Sequence, residues 1–219
     1  MLISHKHKFL TIDIPKTGTR TVRETLVGHF DFAGKDRNQH MGTKRCKKFF
    51  IESGFSFDDY FKFSIVRNPW SRYVSFYSYV FDRVSSFKIN AESLDKESER
   101  YKRLKKQYNV YSNLINRADK NKIKLMKTLI ETNPTQYDFI SNSDGSVTMD
   151  MIATTENLND DIKVFCGRVG IKEDIKILHS NKSSRSEPIK NYYTQELIDM
   201  VAEKEKWVID KFGYELSKN

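Results

Sequence analysis

Twice in this chain a short run rich in β-branched and aromatic residues stops at a proline-containing loop, and an apolar pattern of helical period follows. Residues 9–14 (FLTIDI) carry Leu10, Ile12 and Ile14 and end at Pro15, where a ladder donor is lost. After the small, polar PKTGT, Val22, Leu26 and Phe30 recur at helical spacing. Residues 61–66 (FKFSIV) form a second strand that Arg67-Asn68-Pro69 breaks, and Tyr73, Val74, Tyr77, Val80, Phe81 and Val84 then mark a helix of about four turns. Two strand-loop-helix units predict an α/β fold with a central parallel β-sheet flanked by helices. The 219 residues suffice for a single domain spanning 1–219, at most with a small insertion.

The remaining segments fill in around these units. Residues 44–52 read as a short helix, and 31–42 as a loop with turn chemistry. Residues 91–135 read as a basic, helical insertion. It opens without apolar periodicity, continues through Val110, Leu114 and Ala118, then Ile123, Met126 and Ile130, and ends at Asn133-Pro134. A strand is expected over 148–154 and a helix over 158–169. One helix is expected from Thr194 to Phe212, with Leu197, Val201, Val208 and Phe212 inward and Gly213 as its stop.

Although 31% of residues are charged, 15 Phe and 11 Tyr supply the large side chains that a disordered chain lacks. Lys and Arg exceed Asp and Glu by nine, which favours an anionic partner such as a nucleotide, a nucleic acid or a sulfated sugar. Six of those nine charges fall between Asp95 and Lys124. No apolar run of about eighteen residues occurs, so no membrane span or secretory signal is expected, and a cytoplasmic location is. Cys46 and Cys166 have no Cys or His at ligand spacing, so neither a metal site nor a disulfide framework is expected.

Two loops carry the chemistry. In Pro15-Lys16-Thr17-Gly18-Thr19-Arg20-Thr21, between a strand and a helix, backbone N–H groups and the helix dipole point at one spot, which suits a phosphate. Gly18 lets the backbone come close, Lys16 adds a mobile charge and the Thr hydroxyls add oxygen contacts. The loop departs from the nucleoside-triphosphatase pattern, because its lysine precedes the only glycine, and no Mg²⁺ site is implied. The second loop, VRNPWSRYVSFY, lies at the other strand's C-terminal end, where open α/β sheets bind ligands. Arg67 sits at the strand end and Ser75 two turns into the helix.

Together these loops resemble those of the sulfotransferases that use 3′-phosphoadenosine-5′-phosphosulfate (PAPS), and in particular the carbohydrate sulfotransferases of the Golgi type and their compact soluble relatives. That group has I-P-K-T-G-G-T-S, a later His, F-D-D-Y-F-K-F, V-R-N-P-W and a terminal Y-Y-T…F-G-Y, in this order. Here the matching pieces are Ile14 to Thr21, His40, Phe57 to Phe63, Val66 to Trp70, Tyr192 to Thr194 and Phe212 to Tyr214. The resemblance implies the P-loop-like sulfotransferase fold, PAPS as sulfuryl donor and 3′,5′-adenosine bisphosphate as product, with no metal. It implies that Lys16 is catalytic at the 5′-phosphate and its bridging oxygen, that the N–H groups of Thr17 to Thr21 hold the same phosphate with Pro15 in that loop, and that Arg67 and Ser75 bind the 3′-phosphate. Ser184 and Arg185, in a segment that matches one near the donor, are further 3′-phosphate candidates. The chain departs from the pattern at Thr19 and Arg20, where the family usually has Gly then Thr. Arg20 thus offers a second cation to the site, or points to solvent.

The acceptor is expected to be a hydroxyl, on a small molecule or an oligosaccharide, anionic ones included. Its attack needs a base, and a neutral His suits that task. His40 stands where the family carries its base. His5 and His7 are expected in solvent, His29 at a helix end and His179 in a structural role. Asp13 either orients Lys16 or faces solvent, and Glu156 is expected to be structural. Tyr101, Tyr108 and Tyr111, interleaved with cations, offer ring faces to sugars or bases. The residues taken alone leave two other readings open: a kinase-like nucleotide-binding protein using the 15–21 loop, and a basic nucleic-acid-binding module.

Overall fold

In a computed structural model describing residues 1–34, 39–172 and 187–216, the described residues gather into two compact units. The first lies within Met1–Asn68, Pro134–Lys182 and Trp207–Gly213, and the second within Pro69–Asn133, Ser183–Lys206 and Tyr214–Asn219. His179, Ser184 and Arg185 fall outside the described residues.

The first unit is α/β. Its five-stranded sheet has the order β3-β1-β2-β4-β5, with β1 Leu2–Ser4, β2 Phe9–Ile12, β3 Phe32–Ala33, β4 Phe61–Val66 and β5 Met151–Thr154. The expected parallel sheet holds for three of its five strands: β2 pairs parallel with β4, Ile12 opposite Ser64, and β4 with β5, Val66 opposite Thr154. The sheet as a whole is mixed, because β1 pairs antiparallel with both β2 and β3. Strands β1 and β3 are three and two residues long, too short to show a period. Around the sheet lie α1 (Thr19–Thr25), α2 (Thr43–Glu52), α6 (Gln136–Ile140) and α7 (Leu158–Arg168), numbered in chain order with those of the second unit. Phe9, Phe63, Ile65, Val22, Leu26, Ile162 and Phe165 share one core, with the Phe63 and Phe165 rings stacked at 4.4 Å. Helix α1 ends at Thr25, earlier than the Val22-Leu26-Phe30 spacing predicts, yet Phe30 still packs on this core.

The second unit holds α3 (Pro69–Asn90), α4 (Glu99–Arg117), α5 (Lys122–Thr132) and α8 (Gln195–Lys204). At 22 residues, α3 is longer than its apolar stripe predicts. Helix α4 likewise begins within the stretch expected to be irregular, because Ser98 caps it by accepting a hydrogen bond from the Tyr101 N–H. Val80, Ile115, Leu125 and Leu129 form this unit's core.

The single helix expected over 194–212 is two helices, α8 and α9 (Lys206–Phe212), broken at Glu205. Glu205 is buried, and its carboxylate accepts from the Arg72 guanidinium at 2.8 Å and from Tyr73 Oη at 3.4 Å. A helix continuing straight through would have to carry this charge elsewhere.

Candidate active site

The parallel register brings the ends of β2, β4 and β5 to one edge of the sheet, so residues 13–18, 67–68 and 155–157 leave side by side. The 15–21 loop is tied into this edge through its own main chain. The Thr155 hydroxyl donates to the Thr17 carbonyl (2.9 Å), and Arg67 Nη1 donates to the Lys16 carbonyl (3.2 Å). Lys16 is half-buried at φ +70°, the left-handed region a side chain rarely occupies. Gly18, at φ +87°, precedes α1, and a Cβ there would stand 3.2 Å from Leu158 Cδ2. Glycine at 18 is therefore favoured by its backbone conformation, and a side chain there would also press on Leu158. Thr19, where the resembling pattern has glycine, needs no positive φ, so that departure does not strain the loop.

The threonine hydroxyls do not all face outward. Thr17 is fully buried and donates to the Ile14 carbonyl at 2.9 Å. The Thr21 N–H is bonded to the Gly18 carbonyl at 3.0 Å. No side chain caps α1, which leaves its first N–H groups to the loop edge. Arg20 is 65% exposed and pairs with Glu24 at 2.6 Å, one turn on.

His40 packs beside the same edge. Its Nδ1 lies 2.8 Å from the Asp13 carbonyl, which can only accept, so Nδ1 carries the proton and Nε2 keeps its lone pair. Burial pushes the imidazole below its ordinary pKa of 6.5, helped by the Met1 amino group and Arg23. The Asp13 carbonyl and carboxylate oppose the shift without cancelling it. Asp13 itself does not face solvent. Its buried carboxylate accepts from Thr11 Oγ1 (2.6 Å), the Met1 amino group (2.5 Å) and Arg23 (3.2 Å), which anchors the carbonyl that His40 uses.

The other described histidines are placed elsewhere. His5 is bonded to Tyr60 Oη at 2.6 Å and stacked on Phe55, so it is half-buried rather than solvated. His7 meets the Val169 carbonyl at 3.3 Å and the His29 ring at 5.7 Å. The Glu156 carboxylate accepts the Asn68 N–H at 3.1 Å. Ser75 lies in α3 of the second unit and is buried.

Gln136 was not legible beforehand. Fully buried at the start of α6, its amide accepts the Arg67 N–H (2.8 Å) and donates to the Arg67 carbonyl (2.9 Å), extending the ladder past the end of β4. The one local signal was the capping box, in which Thr135 accepts from the Asp138 N–H and Asp138 from the Thr135 N–H. Gln136→Leu is expected to cost about 1–3 kcal/mol for each Arg67 main-chain group left unpaired, read by chemical denaturation.

Residues 1–211 match the model of the sulfotransferase family. The chain belongs to that family. Its chemistry is sulfuryl transfer, and the loop edge just described lies within the matched residues. No match was found among curated proteins or among solved structures. The Tyr192 to Thr194 piece of the terminal motif serves the second unit of this sulfotransferase: Tyr193 Oη donates to the Trp70 carbonyl (2.7 Å), and Thr194 caps α8. Burial raises the Tyr193 phenol well above its usual pKa, so it stays protonated as that donor. The cysteines are buried, and burial pushes Cys46 up to about 12 and Cys166 up to about 11. Among the described residues no three His, Cys, Asp or Glu side chains gather as a metal site, and no helix is long and apolar enough to cross a membrane.

Proposed function

We propose that this protein transfers a sulfuryl group from PAPS to a hydroxyl of an acceptor, a carbohydrate by preference, in one in-line displacement. The observation that carries the reading is the meeting of three groups at one sheet edge: the Lys16 loop, the Arg67 guanidinium bonded to that loop, and a neutral His40 beside it. Two cations and uncapped helix N–H groups suit the anionic donor, which supplies an activated sulfuryl group on a phosphate leaving group.

His40 Nε2 takes the hydroxyl proton as the acceptor oxygen attacks sulfur. Lys16 neutralises the charge that builds on the 5′-phosphate as the S–O bond breaks. Arg67 serves twice, through its contact with the Lys16 carbonyl and as a ligand for the 3′-phosphate. Ser75 is assigned to the same phosphate on the family resemblance, as are Ser184 and Arg185. Pro15 and Thr17 shape the loop, whereas Thr19 and Arg20 contribute N–H groups. With Arg20 committed to Glu24, its guanidinium is not assigned to the donor.

The test is calorimetric titration with 3′,5′-adenosine bisphosphate, beside ADP with Mg²⁺ and an Arg67→Ala control. Binding of the bisphosphate alone, weakened in the variant, supports the reading. A preference for Mg²⁺-ADP would return the chain to the kinase-like alternative.

A lowered pKa at His40 also fixes the sign of a pH effect. The base works only when unprotonated, so kcat/KM should hold on acidification until the pH passes below 6.5 and then fall. His40→Ala should remove that acidic limb and lower kcat by about 10²–10⁴-fold, with bisphosphate affinity unchanged. An acidic limb that survives in the variant would assign the base elsewhere.

A further inference from the structure

We propose that the outer face of α4 docks on a membrane leaflet rich in anionic phospholipid, an inference independent of the sulfuryl-transfer reading. Helix α4 is a rod about 28 Å long whose two sides differ sharply. Its tyrosines, expected to offer ring faces to a ligand, are turned into the unit instead. Tyr101 and Tyr108 pack on Phe87, with centroids 5.7 and 4.8 Å away, and Tyr111 packs on Tyr79 at 5.7 Å.

The rest of the helix circumference carries Lys102, Arg103 and Lys106 within two turns, with Arg100 just before them, and Lys105, whose ammonium lies 5.7 Å from the Tyr101 ring centroid; all five are exposed. Among the described residues only Lys102 meets carboxylates, Glu97 at 3.6 Å and Glu99 at 3.8 Å, and both of those are almost fully in solvent. Lys102 with Lys105, Lys102 with Lys106 and Arg103 with Lys106 are like charges at helical contact spacing, which destabilises a helix. Arg100 and Lys102 also lie in or next to the first turn, where the helix dipole favours anions. The cluster thus stands against the local electrostatics of its own helix, and an external anionic surface would relieve both conflicts.

Three features select a leaflet. The face is the convex side of one helix, which suits a plane better than a strand that must lie in a groove. No ring is presented for stacking on a base or a sugar. Beyond Lys106 the face turns neutral through Asn109, Val110, Asn113 and Asn116 until Arg117, so a linear polyanion would find no further cations to follow. A leaflet needs none, because its anionic lipids gather laterally beneath a patch of four to eight Lys and Arg. Lysine and arginine stems let the charges reach headgroup phosphates while the helix lies above them.

The experiment is co-sedimentation of the full chain with phosphatidylserine-rich vesicles against pure phosphatidylcholine vesicles, at low and at physiological salt. Binding is expected only to the phosphatidylserine vesicles, weakening as salt rises. The combined variant Lys102→Glu, Arg103→Glu, Lys105→Glu and Lys106→Glu should bind them at least about 100-fold more weakly. It should keep its circular dichroism and its bisphosphate affinity. A second set with glutamine at the same four positions should also lose vesicle binding, which separates charge loss from any effect of added carboxylates. Equal binding to both vesicle types, or undiminished binding by the variants, overturns the proposal. So does tighter binding to heparin or single-stranded DNA than to phosphatidylserine vesicles at the same salt, which would make α4 a polyanion-binding helix.

Discussion

Lys16→Ala is expected to lower kcat by about 10²–10³-fold, the usual loss when one donor to a developing oxyanion is removed. The loss should fall on turnover rather than on fold. Lys16 is half-buried, and two of its structural features belong to its main chain, the left-handed φ of +70° and the carbonyl that Arg67 holds, so both survive removal of the ammonium. Alanine meets the same backbone constraint as lysine, so thermal stability should stay close to that of the parent. Lys16→Arg keeps a cation but not its compact ammonium, and should recover only part of the rate. The check is kcat with PAPS on an identified acceptor, beside the melting temperature and the affinity for the bisphosphate. Turnover within a few-fold of the parent would remove Lys16 from the chemistry and leave the loop a purely structural turn.

The second large effect is on stability. Glu205→Ala should destabilise the second unit by about 3–5 kcal/mol, because it leaves the Arg72 guanidinium, which is fully buried, without its carboxylate. In a chain of this size that corresponds to a fall in melting temperature of about 2–4 °C per kcal/mol. The guanidinium has other neighbours, the Phe76 ring at 5.1 Å and the Tyr73 ring at 5.7 Å, but a ring face does not replace an ion partner in an interior. The double variant Arg72→Met, Glu205→Leu removes both charges and should regain most of the loss. Trp70 belongs to the second unit and Trp207 to the first, so a Trp207→Phe background lets fluorescence report the second unit alone. A single variant as stable as the parent would mean that another group takes over the role of Glu205.

The two predictions sit at opposite ends of what the chain discloses. The strand-loop-helix order, the position of the 15–21 loop and the family resemblance follow from local patterns: alternation in 9–14 and 61–66, prolines that end the strands, and residues four to eight apart along the chain. Such patterns are readable because each needs only its neighbours. Arg72 lies inside the same motif as Arg67 and has the same chemistry, yet one cation is half-buried at the loop edge and the other is enclosed with Glu205, 133 positions away. Nothing local distinguishes them.

Gln136 is similar, since its pairing with Arg67 spans 69 positions and marks neither segment. The two shortest strands and the break at Glu205 were lost for the same reason. A three-residue strand has no measurable period, and an apolar stripe continues unbroken across a helix break that is set by a distant partner. The sequence by itself determined which two loops follow the paired parallel strands and which helices have an apolar side. Only the tertiary structure decided which charges are enclosed, which tautomer His40 holds and which way the α4 tyrosines turn. Each of those depends on desolvation and on partners brought in from far along the chain.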